Sequence, residues 1–172
     1  MKVLKRTSSK DTSKLLFTSI IVLFTVSLFS SQIIAQNCNS ELKVLKNRNA
    51  RSVAENDGTQ FTFQLINNAT SAQTYTIRTE MSNKVFKVKG KVPKRLGPNQ
   101  NLTRTVLKNR AQIQYITVPA GATVTFQVQV TVPPNTPVNH WGGIDVTATS
   151  DMCPNNNIST LLRLYVSDAS AE

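Results

Sequence analysis

Thr123-Val124-Thr125-Phe126-Gln127-Val128-Gln129-Val130-Thr131-Val132 is the stretch that decides the fold. Every even position is apolar and every odd one is Thr or Gln. Successive side chains of an extended chain leave on opposite faces, so this run is a strand with one face on a core and the other in water. Phe61, Phe63 and Leu65 alternate in the same way with Thr62 and Gln64, and Tyr75 and Ile77 alternate with Thr74, Thr76 and Arg78. The pattern predicts that Phe61, Phe63, Leu65, Val124, Phe126, Val128, Val130, Ile144 and Val146 point inward, while Thr125, Gln127 and Gln129 meet water.

Working outward, further strands are expected at Leu42–Leu45, Val85–Val88, Ile113–Val118, Ile144–Ala148 and Leu162–Val166. Turn chemistry separates them: Asn56-Asp57-Gly58, Asn67 to Ser71, Leu96-Gly97-Pro98-Asn99, Pro119-Ala120-Gly121, Pro133 to Pro137, and Pro154 to Asn157. Seven or more short strands with this punctuation indicate an all-β sandwich or barrel. Because only one face of each strand is apolar, the expectation is an antiparallel β-sandwich.

Three stretches carry a resemblance: Asp57 to Asn68, Val118 to Phe126 continuing into Val130-Thr131-Val132-Pro133-Pro134, and Asp145 to Ser150. They resemble the immunoglobulin-like or fibronectin type III-like modules appended to bacterial glycosidases and subtilisin-like proteases, the NPCBM-associated type. The likeness spans roughly Asp57 to Val166. It implies an immunoglobulin-like fold and, since its motifs encode turns and strands, no active site.

Ahead of the domain lies a different composition. Lys2, Lys5, Arg6, Lys10 and Lys14 precede an uncharged apolar run from Leu15 to Phe29, and the small residue Ala35 stands before Gln36. That layout is a secretory signal peptide, expected as a helix over residues 1–35 and cut after Ala35, with residues 36–172 as a single domain. The apolar stretch approaches the ~20 residues that span a bilayer, so an uncleaved N-terminal anchor is the alternative, and the one expected route to a membrane. Lipid attachment at Cys38 is disfavoured by Asn37 before it.

The segment holds five of the chain's 20 basic residues and one of its nine acidic ones, which leaves 15 against 8, a net +7. Nine of those 15, Lys84, Lys87, Lys89, Lys91, Lys94, Arg95, Arg104, Lys108 and Arg110, fall in one stretch without an acid. If Val85 to Val92 is extended, Lys87, Lys89 and Lys91 leave one face while Phe86 and Val88 turn to the core. A field of one sign attracts polyanions, although lysines also serve to blunt a sheet edge. Both readings stay open.

Two cysteines, Cys38 and Cys153, flank the domain. In an exported chain an even count reads as a bridge, so they are expected to pair.

Catalytic chemistry finds little material. The one histidine, His140, falls in the stretch Pro137 to Gly143, expected as a turn, with no cluster of Cys, His, Asp or Glu at metal-ligand spacing. No cofactor is expected. Trp141, the only tryptophan, reads either as a stacking platform for a sugar ring or as a plug at the end of the core.

The expectation is therefore an exported, non-enzymatic binding or structural module of the periplasm or cell surface, whose partner is an envelope or surface protein. Two alternatives accompany it. One is binding of an anionic polymer, such as lipopolysaccharide, acidic polysaccharide or nucleic acid, through Lys84 to Arg110. Sequence-specific nucleic-acid binding is not expected there, because the stretch has few aromatics to stack bases. The other is an accessory carbohydrate-binding module built on Trp141.

Overall fold

The computed structural model describes residues 38–86 and 98–169. The expected signal helix, its cleavage site and the alternative anchor lie outside these residues, as do Lys87, Lys89, Lys91, Lys94 and Arg95. Among the described residues no helix is long and apolar enough to cross a membrane.

Alternation drives the architecture. Among the described residues ten strands form: β1 Ser40–Val44, β2 Ala50–Ala54, β3 Gly58–Asn67, β4 Gln73–Ser82, β5 Thr103–Lys108, β6 Ala111–Gln112, β7 Tyr115–Val118, β8 Thr123–Thr131, β9 His140–Ser150 and β10 Asn157–Ser167. They pair into two sheets, one in the order β1-β3-β8-β5-β6 and the other in the order β2-β10-β9-β4-β7. The apolar faces meet between them, giving the immunoglobulin-like β-sandwich. One pairing departs from the antiparallel expectation, since β2 runs parallel to β10. The chain makes this switch of sheets through the turn after β1, where Lys46 and Asn47 adopt φ of 58° and 54°.

The core follows the pattern of the opening stretch. Phe61, Phe63, Leu65, Phe126, Val128, Val130, Ile144 and Val146 are fully buried. Phe63 and Phe126 are directly opposed on β3 and β8, and their rings stack at 5.1 Å. Val124 is half-buried and packs on the margin of this cluster. Thr125 is exposed, and Gln127 and Gln129 are partly so.

Three strand expectations are corrected. Ile113–Val118 is not one strand. Ala111–Gln112 stays in the first sheet beside β5, and Tyr115–Val118 crosses to the second beside β4. Residues 83–86 are not strand either. Phe86 does not enter the core, because its ring lies over Gly143 on the outside of the second sheet. And β9 begins at His140, inside the expected turn and four residues ahead of the expected start at Ile144, because His140 and Trp141 pair with Val166 and Tyr165.

Cys38 and Cys153 form a disulfide, Cα–Cα 5.9 Å, between the lead-in to β1 and the turn joining β9 to β10.

Candidate functional site

Trp141 owes its position to parity. On β9 the even residues Gly142, Ile144, Val146 and Ala148 face the core and are buried, so Trp141, Gly143 and Asp145 face outward. On β10 the buried Leu162, Leu164 and Val166 likewise leave Arg163 and Tyr165 outside. Trp141 and Tyr165 are directly opposite, as are Gly143 and Arg163. Trp141 is half-buried and is not a member of the core cluster.

Two rings flank the indole. Tyr165 stands 5.3 Å away, centroid to centroid, tilted by 52°, and Phe86 stands 6.3 Å away, tilted by 55°. These are tilted contacts, within the range of about 4.5–7 Å at which aromatic pairs attract. The Tyr165 hydroxyl donates to Asn139 Oδ1 at 3.0 Å, which fixes its ring. Phe86 needs Gly143 beneath it: a methyl group there would sit 2.9 Å from the ring and from Ser82 Cβ.

The strand end is held from the other side by Asn99. Its backbone N–H donates to Trp141 O at 2.9 Å, and its buried side chain donates to Pro137 O at 3.1 Å and accepts from Asn101 N–H at 3.2 Å. Leu102 packs beneath Gly142, where a methyl group would meet its Cδ1 at 2.7 Å. Asn99 and Leu102 carried no signal in the sequence beyond a turn.

Of the nine basic residues, Lys84, Arg104, Lys108 and Arg110 lie among the described ones. Lys84 is exposed beyond the Ser82 end of β4. Lys108 and Arg110 lie at the β5–β6 hairpin, and Lys108 is five residues along β5 from the end that pairs Thr103 with Thr131. That is about 17 Å of strand, twice the Debye length of about 8 Å at physiological salt. Arg104 shares the inner face with Val106, and its Nε is buried without a hydrogen-bond partner.

Among the described residues no group of three or more His, Cys, Asp or Glu is placed to hold a metal. His140 is half-buried at the start of β9. The ionisable group with a burial-driven shift is Tyr75, whose hydroxyl is pushed up from its ordinary value and bonds Ser40 Oγ at 2.6 Å and Gln73 Oε1 at 3.0 Å, at the disulfide end.

Fold and surface together define an immunoglobulin-like sandwich module. The profile of a family described as "IG-like fold at C-terminal of FixG, putative oxidoreductase" matches residues 33–160, and the chain belongs to that family, FixG_C. The oxidoreductase description is FixG's, while the family's own share is the immunoglobulin-like fold. Among curated proteins no sequence match is found.

Solved structures are similar at low identity. A FixG-related protein from Vibrio parahaemolyticus is 13% identical over 75% of this chain and 96% of its own, with a TM-score of 0.48. A family 123 glycoside hydrolase from Clostridium perfringens is 8% identical over 76% of this chain and 27% of its own, with a TM-score of 0.51. The secreted serine protease VesC from Vibrio cholerae is 8% identical over 73% of this chain and 23% of its own, with a TM-score of 0.44. At such identities these likenesses concern the fold alone. The family that matches by sequence is FixG_C.

Proposed function

We propose that the chain is an exported, non-enzymatic binding or structural module working in the periplasm or at the cell surface. The observation that carries this reading is the Cys38–Cys153 disulfide, which joins residues 115 apart. Such bridges persist in oxidising, extracytoplasmic compartments and are rare where thiols are kept reduced. The family supports the non-enzymatic part, because its described share is an immunoglobulin-like fold. An accessory role beside an enzyme, as the resemblance to NPCBM-associated modules implies, belongs to the same reading.

The test is thiol status in the cell. Intact cells are quenched with acid, and the unreduced protein from envelope and cytoplasmic fractions is alkylated with a maleimide polymer. We expect the protein in the envelope fraction, unlabelled until a reductant is added. A cytoplasmic pool carrying two labels would sink the reading.

A further inference from the structure

On the outer face of the second sheet, strand positions toward Thr149 carry mainly Thr, Ser and charged side chains, with Tyr115 and Leu161 standing singly among them. At the His140 end the same face carries Phe86, Trp141 and Tyr165 together. None of the three belongs to the cluster between the sheets, so the core does not account for them. Apolar groups gathered on a water-facing surface mark interaction sites.

Ring geometry narrows the ligand. A cage for a quaternary ammonium group needs the cation between walls, within about 6 Å of each ring centroid. Trp141 stands 5.3 Å from Tyr165 and 6.3 Å from Phe86, so the rings touch one another and leave no room between them. They make a platform, and a platform takes a ligand with a flat apolar face, such as a sugar ring or a nucleobase.

The polar surround decides between those two. Arg163, exposed, stands opposite Gly143, the seat of Phe86. One outward position further along, Asp145 and Glu80 face each other across β9 and β4, with no ion pair among the described residues. A guanidinium only donates hydrogen bonds and a carboxylate only accepts them, whereas a sugar hydroxyl does both. A nucleic acid or acidic polysaccharide would bring its own anions against two carboxylates. From Trp141 to Asp145 is four residues, about 13 Å of strand. That is beyond one ring, so the surface suits linked sugars.

We propose that the Phe86–Trp141–Tyr165 platform binds a neutral glycan chain, with one sugar ring stacked on Trp141 and neighbouring hydroxyls shared among Arg163, Asp145 and Glu80. This rests on the binding-module reading above and gives it a ligand class.

Trp141 is the only tryptophan, so its emission reports this surface alone. The oxidised full chain is titrated with cello-, chito-, manno- and xylohexaose, and separately with heparin, at low and raised sodium chloride. We expect a saturable emission change with at least one neutral hexaose, unaffected by salt. Arg163→Ser, at an exposed position, should melt as the parent does yet bind about tenfold more weakly, the effect of one charge-assisted hydrogen bond. Flat emission with all four hexaoses overturns the proposal. So does a change seen with heparin alone and abolished by salt, which assigns the surface to polyanions, or unaltered hexaose affinity in both Arg163→Ser and Asp145→Asn. None of these results touches the thiol-status test, so the ligand class and the compartment stand or fall separately.

Discussion

Asn67 is wholly buried, yet its side chain leaves nothing unsatisfied. Its Nδ2 donates to the carbonyls of Ser71, Val118 and Pro119 at 2.8, 3.0 and 3.2 Å, and its Oδ1 accepts from Ala69 N–H at 3.1 Å. It therefore pins the turn after β3 to the turn after β7. Asn67→Ala should cost about 2–4 kcal/mol, since buried groups left without partners cost about 1–3 kcal/mol each. Asn68→Ala, at the exposed neighbour, should stay within about 0.5 kcal/mol. Urea denaturation of the two variants checks this, and equal midpoints would show that the Asn67 contacts carry no net stability. The pair also marks a limit of sequence reading. Asn67-Asn68 is visible as a turn, but which asparagine turns inward depends on carbonyls that come from 51 and 52 residues away.

At the scale of elements, β8 was readable because its alternation is complete, and its register yields a sharp expectation. Phe126→Ala should cost about 3–5 kcal/mol, the range for truncating a buried aromatic, because it also strands the stacked ring of Phe63. Gln127→Ala, one residue on and facing outward, should change stability by about 0.5 kcal/mol or less. Thermal melts that moved together would mean the strand's faces are mixed. β5 escaped the same reading for a physical reason. Its inward positions are Arg104 and Val106, so a charge stands where the pattern asks for an apolar residue. Its hairpin was equally hidden: Lys108 pairs with Ala111, and the two loop residues, Asn109 and Arg110, both have positive φ, 52° and 68°. That is a type I′ turn, whose usual mark is a glycine at the second place. Arg110 fills it here, so the turn residue reads as one more base in a basic stretch. Trp141 shows the converse. Sequence singled it out, but its outward direction is set by its pairing with Tyr165, and its neighbour Phe86 arrives from a segment expected to be a strand facing the core.

For the whole molecule the question is what the disulfide does, because its loop is long and one of its ends leads into an edge strand. In the chain-entropy view, closing a loop of 115 residues constrains the unfolded ensemble by roughly 4–5 kcal/mol. A rival account is local: β1 pairs only with β3, and without the bridge it would peel away while the rest stayed folded. The contacts favour the first. Asn156 Nδ2 donates to Cys38 O at 2.7 Å, Ser40 Oγ meets the Tyr75 hydroxyl, and Thr160 Oγ1 donates to Leu42 O at 2.9 Å, so three tethers to the opposite sheet and its turn remain when the sulfurs are removed. Two observables of a urea titration separate the accounts. If the bridge acts on the unfolded chain, Cys38→Ser with Cys153→Ser should lower the midpoint and raise the m-value, because the uncrosslinked chain exposes more surface when it unfolds. If β1 peels first, the native state has already exposed that surface and the m-value should fall. We expect the rise, with a single cooperative transition followed by both tryptophan emission at the His140 end and far-ultraviolet circular dichroism. A lower m-value, or two probes that part company, would place the disulfide's contribution in β1 alone.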